Sequence, residues 1–405
     1  MTAPESRRGS LDRLLASREI AVVCGPGGVG KTTVAASMAA MAAAHHGGRV
    51  LVVTIDPAKR LANALGLGGI GNAEHPIPPE AFREAGVTPR GELWAAMLDT
   101  QASWDDLIKR HAPDRRTREQ ILSNPLYRNI SGRFIQSHDY IAAERLFEIH
   151  STGAYDLIVV DTPPSRHALD FLDAPRRMAE FFSSRLLRWL VAPYRSRLVT
   201  LASRPFQQMA DRVLGTQFLS DISEFFILFQ SMQEGFVERA EAVVRLLADR
   251  RSTFVVVSTL ESSPLAEAEL FCSELAHRHL HLGAVVLNRT LPDYLRDPAA
   301  LLVARALEER ADEVAAHLAT DPALTAPLLK ELAESFLNFS LVARREAEQR
   351  DELAPAGEVV ASAPVMENDI SNLAGLLALG ETIWSEAIPP EHRPPPTMAG
   401  RPLPA

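Results

Sequence analysis

The stretch Cys24-Gly25-Pro26-Gly27-Gly28-Val29-Gly30-Lys31-Thr32-Thr33 follows directly on the apolar run Ile20-Ala21-Val22-Val23, and an alanine-rich segment succeeds it. An apolar strand that ends in a glycine-rich turn and reopens as a helix has few ways to fold. Strands that are apolar throughout belong to parallel sheets with helices on both faces. The next apolar run, Arg49-Val50-Leu51-Val52-Val53-Thr54, comes after a helical pattern over residues 31–44 that Gly47-Gly48 breaks. This completes a strand–helix–strand unit. Within it, Gly25-x4-Gly30-Lys31-Thr32 has the full spacing of a phosphate-binding loop in the context that such a loop requires. Gly27, Gly28, Val29 and Gly30 are expected to close backbone N–H groups around phosphates, and the helix N-terminus adds its positive end. Lys31 should reach the β- and γ-phosphates, Thr32 should place its hydroxyl on Mg²⁺, and Thr33 should touch the α-phosphate.

Further buried strands are expected at 157–160, 254–257, 284–287 and 358–361, with helical patterns between them. The fold class is therefore α/β, a P-loop NTPase with a doubly wound, mostly parallel sheet. Helical runs also cover about 100–150, 175–250 and 296–350. The second is too long for an ordinary crossover and reads as a helical insertion. The chain divides into a polar lead-in (1–18), one nucleotide-binding domain (19–387) with its insert, and a proline-rich tail (388–405) expected to be disordered.

A net charge of −9 argues against general nucleic-acid binding. Two cysteines, Cys24 and Cys272, lie far apart and in no metal-ligand spacing, so neither disulfides nor zinc are expected. The start, MTAPESRRGSLDRLL, has no apolar h-region, and no uncharged apolar run is long enough to span a membrane. A cytoplasmic location is expected.

Two aspartates end apolar strands. Asp161 closes Leu157-Ile158-Val159-Val160 in the manner of an acid that holds Mg²⁺ directly or through water. Asp56, in Thr54-Ile55-Asp56-Pro57, lies on the rim where doubly wound sheets bind ligands. It could orient or deprotonate an attacking water, or cap a helix. The histidines His277, His279 and His281 recur with period two but read as surface. In the insert, residues 181–210 carry Arg185, Arg188, Arg195, Arg197 and Arg204 among apolar residues and no acid. Such a segment suits a helical subdomain with its own core, a groove for an apolar client, or contact with an anionic membrane surface. A second cluster (Phe218, Leu219, Ile222, Phe225, Phe226, Leu228, Phe229 and Met232) could line the same groove or pack as core.

Together, the phosphate loop, TIDPAKRLANALG (54–66), DTPPSRHALDFL (161–172), FQSMQEGFVERAEAVVRLL (229–247), VVLNRTLP (285–292) and SAPVMENDISNLAGLLALG (362–380) resemble the ArsA family of deviant Walker A ATPases. That family includes the arsenite-pump ATPase and the ATPase that targets tail-anchored membrane proteins. The resemblance spans residues 19–384. It implies ATP and Mg²⁺ as cofactors and a catalytic, water-positioning Asp56. It also implies a Mg²⁺-linked Asp161, an Asn288 that contacts adenine, and Pro364 near the base. Without it, Asn288 reads as a strand-end turn residue. By resemblance the protein works as a dimer, and its client would be a hydrophobic or membrane protein; because Pro26 stands where the family has its signature lysine, a heterodimer with a related, lysine-bearing ATPase is expected beside the homodimer.

Three departures qualify this. The CxxC pair of the targeting ATPase's zinc is absent, so no zinc is expected. The arsenite-binding cysteines are absent, which argues against arsenite transport. Pro26 replaces the signature lysine that reaches across the dimer, so this chain cannot offer that cation to a partner.

Overall fold

A computed structural model describes residues 10–55, 60–67, 71–125, 127, 135–163, 171–178, 180, 224–229, 231–318, 321–353, 358–366 and 369–385. Its centre is an eight-stranded sheet in the order β3-β4-β2-β5-β1-β6-β7-β8. The strands are β1 (Ile20–Cys24), β2 (Arg49–Thr54), β3 (His75–Pro76), β4 (Glu92–Met97), β5 (Leu157–Asp161), β6 (Ser252–Ser258), β7 (Leu282–Thr290) and β8 (Val359–Pro364). All pairings are parallel except that of β3 with β4. β1, β5 and β6 are buried at every position, as expected of parallel strands covered on both faces.

Alternate residues feed two cores. Ala21, Val23, Val255 and Val257 face one side, where α1 (Ser10–Ala16), α2 (Lys31–His45) and the final helix cover the sheet. α2 is buried nearly all round, because twelve of its residues, mostly alanine, lie against the sheet and its neighbours. Ile20, Val22, Cys24, Phe254 and Val256 face the other side. Short helices α3 (Arg60–Ala64) and α4 (Pro79–Glu84) follow β2. The second face is covered by α5 (Thr100–His111), α6 (Arg115–Ser123), α7 (Ile135–Ser151), α8 (Gln233–Ala248) and α9 (Ser262–His277). Between β7 and β8 stand α10 (Pro298–Glu309), α11 (Ala311–Ala316) and the 32-residue α12 (Pro322–Leu353), and α13 (Leu373–Ser385) closes the described chain.

The strands expected from sequence are all present. β3 and β4 are additional, and the reason is physical. Glu-Leu-Trp-Ala-Ala-Met is a weak strand signal, and its pairing from Arg49↔Glu92 to Thr54↔Met97 becomes available only once β2 is in place. The whole basic run 181–210, and Phe218, Leu219 and Ile222, lie outside the described residues. The rest of the second aromatic cluster is core. Phe225, Phe229 and Met232 are buried; Phe225 lies 4.5 Å from Phe229, which stacks on Phe236 at 5.5 Å beside Trp104 and Tyr140. His281 bonds Thr253 (2.9 Å) and Glu358 (2.8 Å) at the amino-terminal edge of the sheet.

Candidate nucleotide site

The direction of the chain across the sheet turns around β1: β2 and β5 lie on one side of it and β6 on the other. The carboxyl ends of β1 and β5 therefore border the crevice where open α/β sheets take ligands. The phosphate loop leaves β1 there. A side chain at Gly25 would put its Cβ 2.0 Å from the Val257 carbonyl oxygen, so only glycine lets the loop pass β6. Gly30 precedes the first residue of α2 at φ +92°, the left-handed conformation that turns the chain into the helix. Gly27 and Gly28 are exposed at the mouth of the loop, while Val29 is buried beneath it.

Lys31 is 7% exposed and its Nζ donates to the Pro26 carbonyl oxygen at 2.8 Å, reaching back across the loop. Pro26 is itself buried. Thr32 Oγ1 donates to Asp161 Oδ2 at 2.8 Å, and Thr54 Oγ1 donates to the same oxygen at 2.8 Å. Asp161 is fully buried, and Thr33 sits partly exposed in the first turn of α2. Thr162 ties the strand ends together through its hydroxyl, which donates to the Val23 carbonyl at 2.9 Å. Asn288, at the end of β7, donates from Nδ2 to the Val29 carbonyl at 2.8 Å and accepts from the Arg289 N–H through Oδ1 at 3.0 Å. Asn288 thus braces the loop from the side of the third neighbouring strand.

Beyond Asn288 lies a cavity of about 300 Å³ bordered by Leu260, Thr290, Leu291, Ser362 and Pro364 on the sheet side and by Glu346 and Arg350 of α12. Only Arg289, at φ +58° where the β7 register shifts, separates Asn288 from Thr290 at the cavity's edge. The Ser362 hydroxyl is buried without a hydrogen-bond partner among the described residues. Asp56 lies outside the described residues. Its neighbour Ile55 donates its N–H to the Asp161 carbonyl at 2.9 Å, so the chain leaves β2 alongside Asp161.

These groups fit a Mg²⁺-nucleotide. The oxygen-only donor set of Thr32 and Asp161 is what a hard divalent cation selects. A hydroxyl that donates its proton to a carboxylate also keeps its lone pairs for a metal. The glycine-lined mouth before the N-terminus of α2 suits phosphate. Sequence reasoning gave Thr54 and Ser362 no role. The polar residue that ends an apolar strand (Thr54 on β2) is the signal that could have found Thr54, since its partner Asp161 ends the neighbouring strand.

Both cysteines are free thiols packed into the fold, Cys24 buried and Cys272 half-buried. Burial pushes the Cys24 thiol well up, and burial first, then Glu269, raises Cys272 to about 11.

A model of the anion-transporting ATPases matches residues 18–336. The chain belongs to this family. Among its relatives, an uncharacterized protein of Streptomyces coelicolor is 29% identical over 67% of this chain, a match that spans 62% of the relative, less than two thirds of its length. The ATPase BagA of Mycobacterium tuberculosis is 25% identical over 74% of this chain and 73% of its own. The ATPase get3 of Schizosaccharomyces japonicus is 25% identical over 70% of this chain and 79% of its own. Membership in the anion-transporting ATPases accounts for the phosphate loop and the sheet order. Among the described residues, no helix is long and apolar enough to cross a membrane.

Proposed function

We propose that this protein is a Mg²⁺-dependent ATP hydrolase that works as a dimer, and that its nucleotide state opens and closes a helical surface for a client or partner. The observation that carries the reading is the joined set at the loop: Lys31 reaching back to the Pro26 carbonyl, and Thr32 bonded to Asp161. Thr32 would hold Mg²⁺ directly and Asp161 would hold it directly or through water. When bound, the metal would offset the charge that develops on the transferred phosphoryl group. Gly27 to Thr33 would grip the phosphates, and Lys31 would exchange the Pro26 carbonyl for phosphate oxygens. Asp56 would position the attacking water; the residue before it in sequence, Ile55, bonds the Asp161 carbonyl. The cavity beside Pro364 would take the base, with Asn288 between it and the loop.

The segments 54–65 and 161–172 leave neighbouring strands at this site and would couple the γ-phosphate to the helices beyond. Arsenite is not the proposed cargo, because the arsenite-binding cysteines have no counterparts and Cys24, one of the two thiols present, is wholly buried. The insert around 175–250 is the proposed client surface, with the basic residues 185–204 able to meet an apolar helix or an anionic membrane surface. A cytoplasmic protein, at times peripheral to the membrane, fits this reading.

A second reading rests on Pro26. It is uncharged and buried, so this chain sends no cation across a dimer from that position. The protein would then serve as a nucleotide-binding scaffold, the regulatory subunit of a heteromer with a lysine-bearing paralogue. Single-turnover hydrolysis by the purified chain, alone and with co-purifying ATPases, separates the two. Fast turnover by the chain alone supports the hydrolase and removes the scaffold; ATP binding with no turnover in any combination does the reverse.

A further inference from the structure

The carboxylate of Asp161 is approached from two sides. β2 and β5 pair in parallel with Thr54 beside Asp161, so the two side chains stand together on one face of the sheet. α2 covers that face, since Val52 and Val159, two residues earlier on each strand, lie in the core beneath it. The phosphate loop then brings Thr32, in the first turn of α2, over the same carboxylate. Both hydroxyls donate to one oxygen, Asp161 Oδ2, at 2.8 Å each.

The two donors differ in their surroundings. Thr32 is half-exposed at the loop, whereas Thr54 is 1% exposed between the sheet and α2. The backbone also fixes the end of β2. The Leu98 N–H donates to the Thr54 carbonyl at 3.0 Å, and the Ile55 N–H donates to the Asp161 carbonyl at 2.9 Å. Thr54 is thus held from the β4 side and the β5 side, and a β-branched side chain has few rotamers to choose from. Thr32 is the hydroxyl that a ligand at the loop meets. Thr54 is the one that stays on Asp161 whatever the loop holds.

We propose, resting on the Mg²⁺-nucleotide reading above, that Thr54 is a positioning residue: its hydroxyl sets the orientation in which Asp161, together with Thr32, takes Mg²⁺. A carboxylate that can turn must be ordered when the ion arrives. Partners that hydrogen-bond such a ligand beforehand are worth about ten- to a hundredfold in metal affinity. Thr54 also opens the segment 54–65, so the metal's carboxylate and the chain leading to Asp56 share one anchor.

The test is the affinity of the full chain for a fluorescent ATP analogue, measured once in excess EDTA and once in saturating Mg²⁺. The ratio of the two is the gain that Mg²⁺ brings. Thr54→Val keeps the side-chain shape and removes the donor, and it should cut that gain by about tenfold, or ~1.4 kcal/mol, with the EDTA affinity unchanged. Thr54→Ala, with less bulk beside the carboxylate, should do the same, and Thr54→Ser, which keeps the hydroxyl, should restore the gain. Thr253→Val is the structural comparison. It removes an equally buried hydroxyl, bonded to His281 at the amino-terminal edge of the sheet, and should leave the gain intact. A full gain in Thr54→Val and Thr54→Ala overturns the proposal. So does a loss that is equal in EDTA and in Mg²⁺, a loss that Thr253→Val matches, or a Thr54→Ser that behaves like Thr54→Val. An unaltered chain that binds the analogue and gains nothing from Mg²⁺ overturns the Mg²⁺ reading itself, and this inference with it.

Discussion

The Lys31 ammonium sits almost buried against the Pro26 carbonyl at 2.8 Å, so phosphate would enter as a charged oxygen partner in a place already shaped for one. Removing it in Lys31→Ala should weaken ATP binding by about ten- to a hundredfold, from roughly 1.5–3 kcal/mol for a hydrogen bond to a charged group. Titration with a fluorescent ATP analogue measures this, and unchanged affinity would take Lys31 out of the site. Asp56→Asn should bind ATP normally and hydrolyse it poorly in single turnover; normal turnover would sink the catalytic assignment. A pH effect belongs to His111, whose ring is held down to about 4 by burial of its packed side, then by Arg239 and Arg110. Its folded pKa lies below the unfolded value, so protonation favours unfolding. Stability should fall as pH drops from about 6.5 towards 4 and level off below. The ring is more than a third exposed, so the slope is shallow. Denaturant midpoints across that window should flatten in His111→Gln.

Between elements, two contacts depend on unusual closeness. α13 lies on α2 where Gly380 meets Met41: a Cβ there would come within 2.2 Å of the Met41 side chain, and Ser37 Oγ donates to the Leu376 carbonyl at 2.6 Å. Gly380→Val should therefore lower stability by ~1–3 kcal/mol through overpacking. A thermal or denaturant midpoint equal to that of the unaltered protein would contradict so tight a packing. On the opposite face, Arg239 of α8 pairs with the buried Glu144 of α7, which also accepts the Tyr140 hydroxyl at 2.7 Å. Arg239→Ala strands that carboxylate and should cost ~3–5 kcal/mol. Pairing it with Glu144→Gln should recover part of the loss, as a double-mutant cycle would reveal. α7 precedes the insert in sequence and α8 forms its carboxyl end, so the ion pair ties that end to α7.

For the whole molecule, the position of Pro26 matters more than its chemistry alone. A buried residue cannot extend toward a partner, so a homodimer would have two active sites each lacking a charge contributed in trans. The purified chain should turn over slowly, and a lysine-bearing partner should raise the rate; a fast homodimer would refute the heteromer. Much of the architecture was legible beforehand, because β1, β2, β5, β6, β7 and β8 are apolar runs that no solvent-exposed strand could carry. β4 was not legible, since Trp94, Ala95 and Ala96 become a strand only beside β2. The aromatic residues 225–232 were equally ambiguous. Helical spacing is the same for a client groove and for a core, and only the neighbours Trp104, Tyr140 and Phe236 decide.

The sequence by itself pointed to the strand–loop–helix at residues 20–45 and to Lys31, Thr32 and Asp161 as candidate phosphate and Mg²⁺ groups, and it held only two cysteines, far apart. These follow from local spacing and side-chain type, which folding cannot alter. Only the tertiary structure decided that Thr54 shares the Asp161 carboxylate and that Asn288 braces the loop 259 residues away. It alone decided that Pro26 faces inward. Each of these depends on which elements become neighbours. That is settled by the burial of the whole sheet, and no window along the chain contains it.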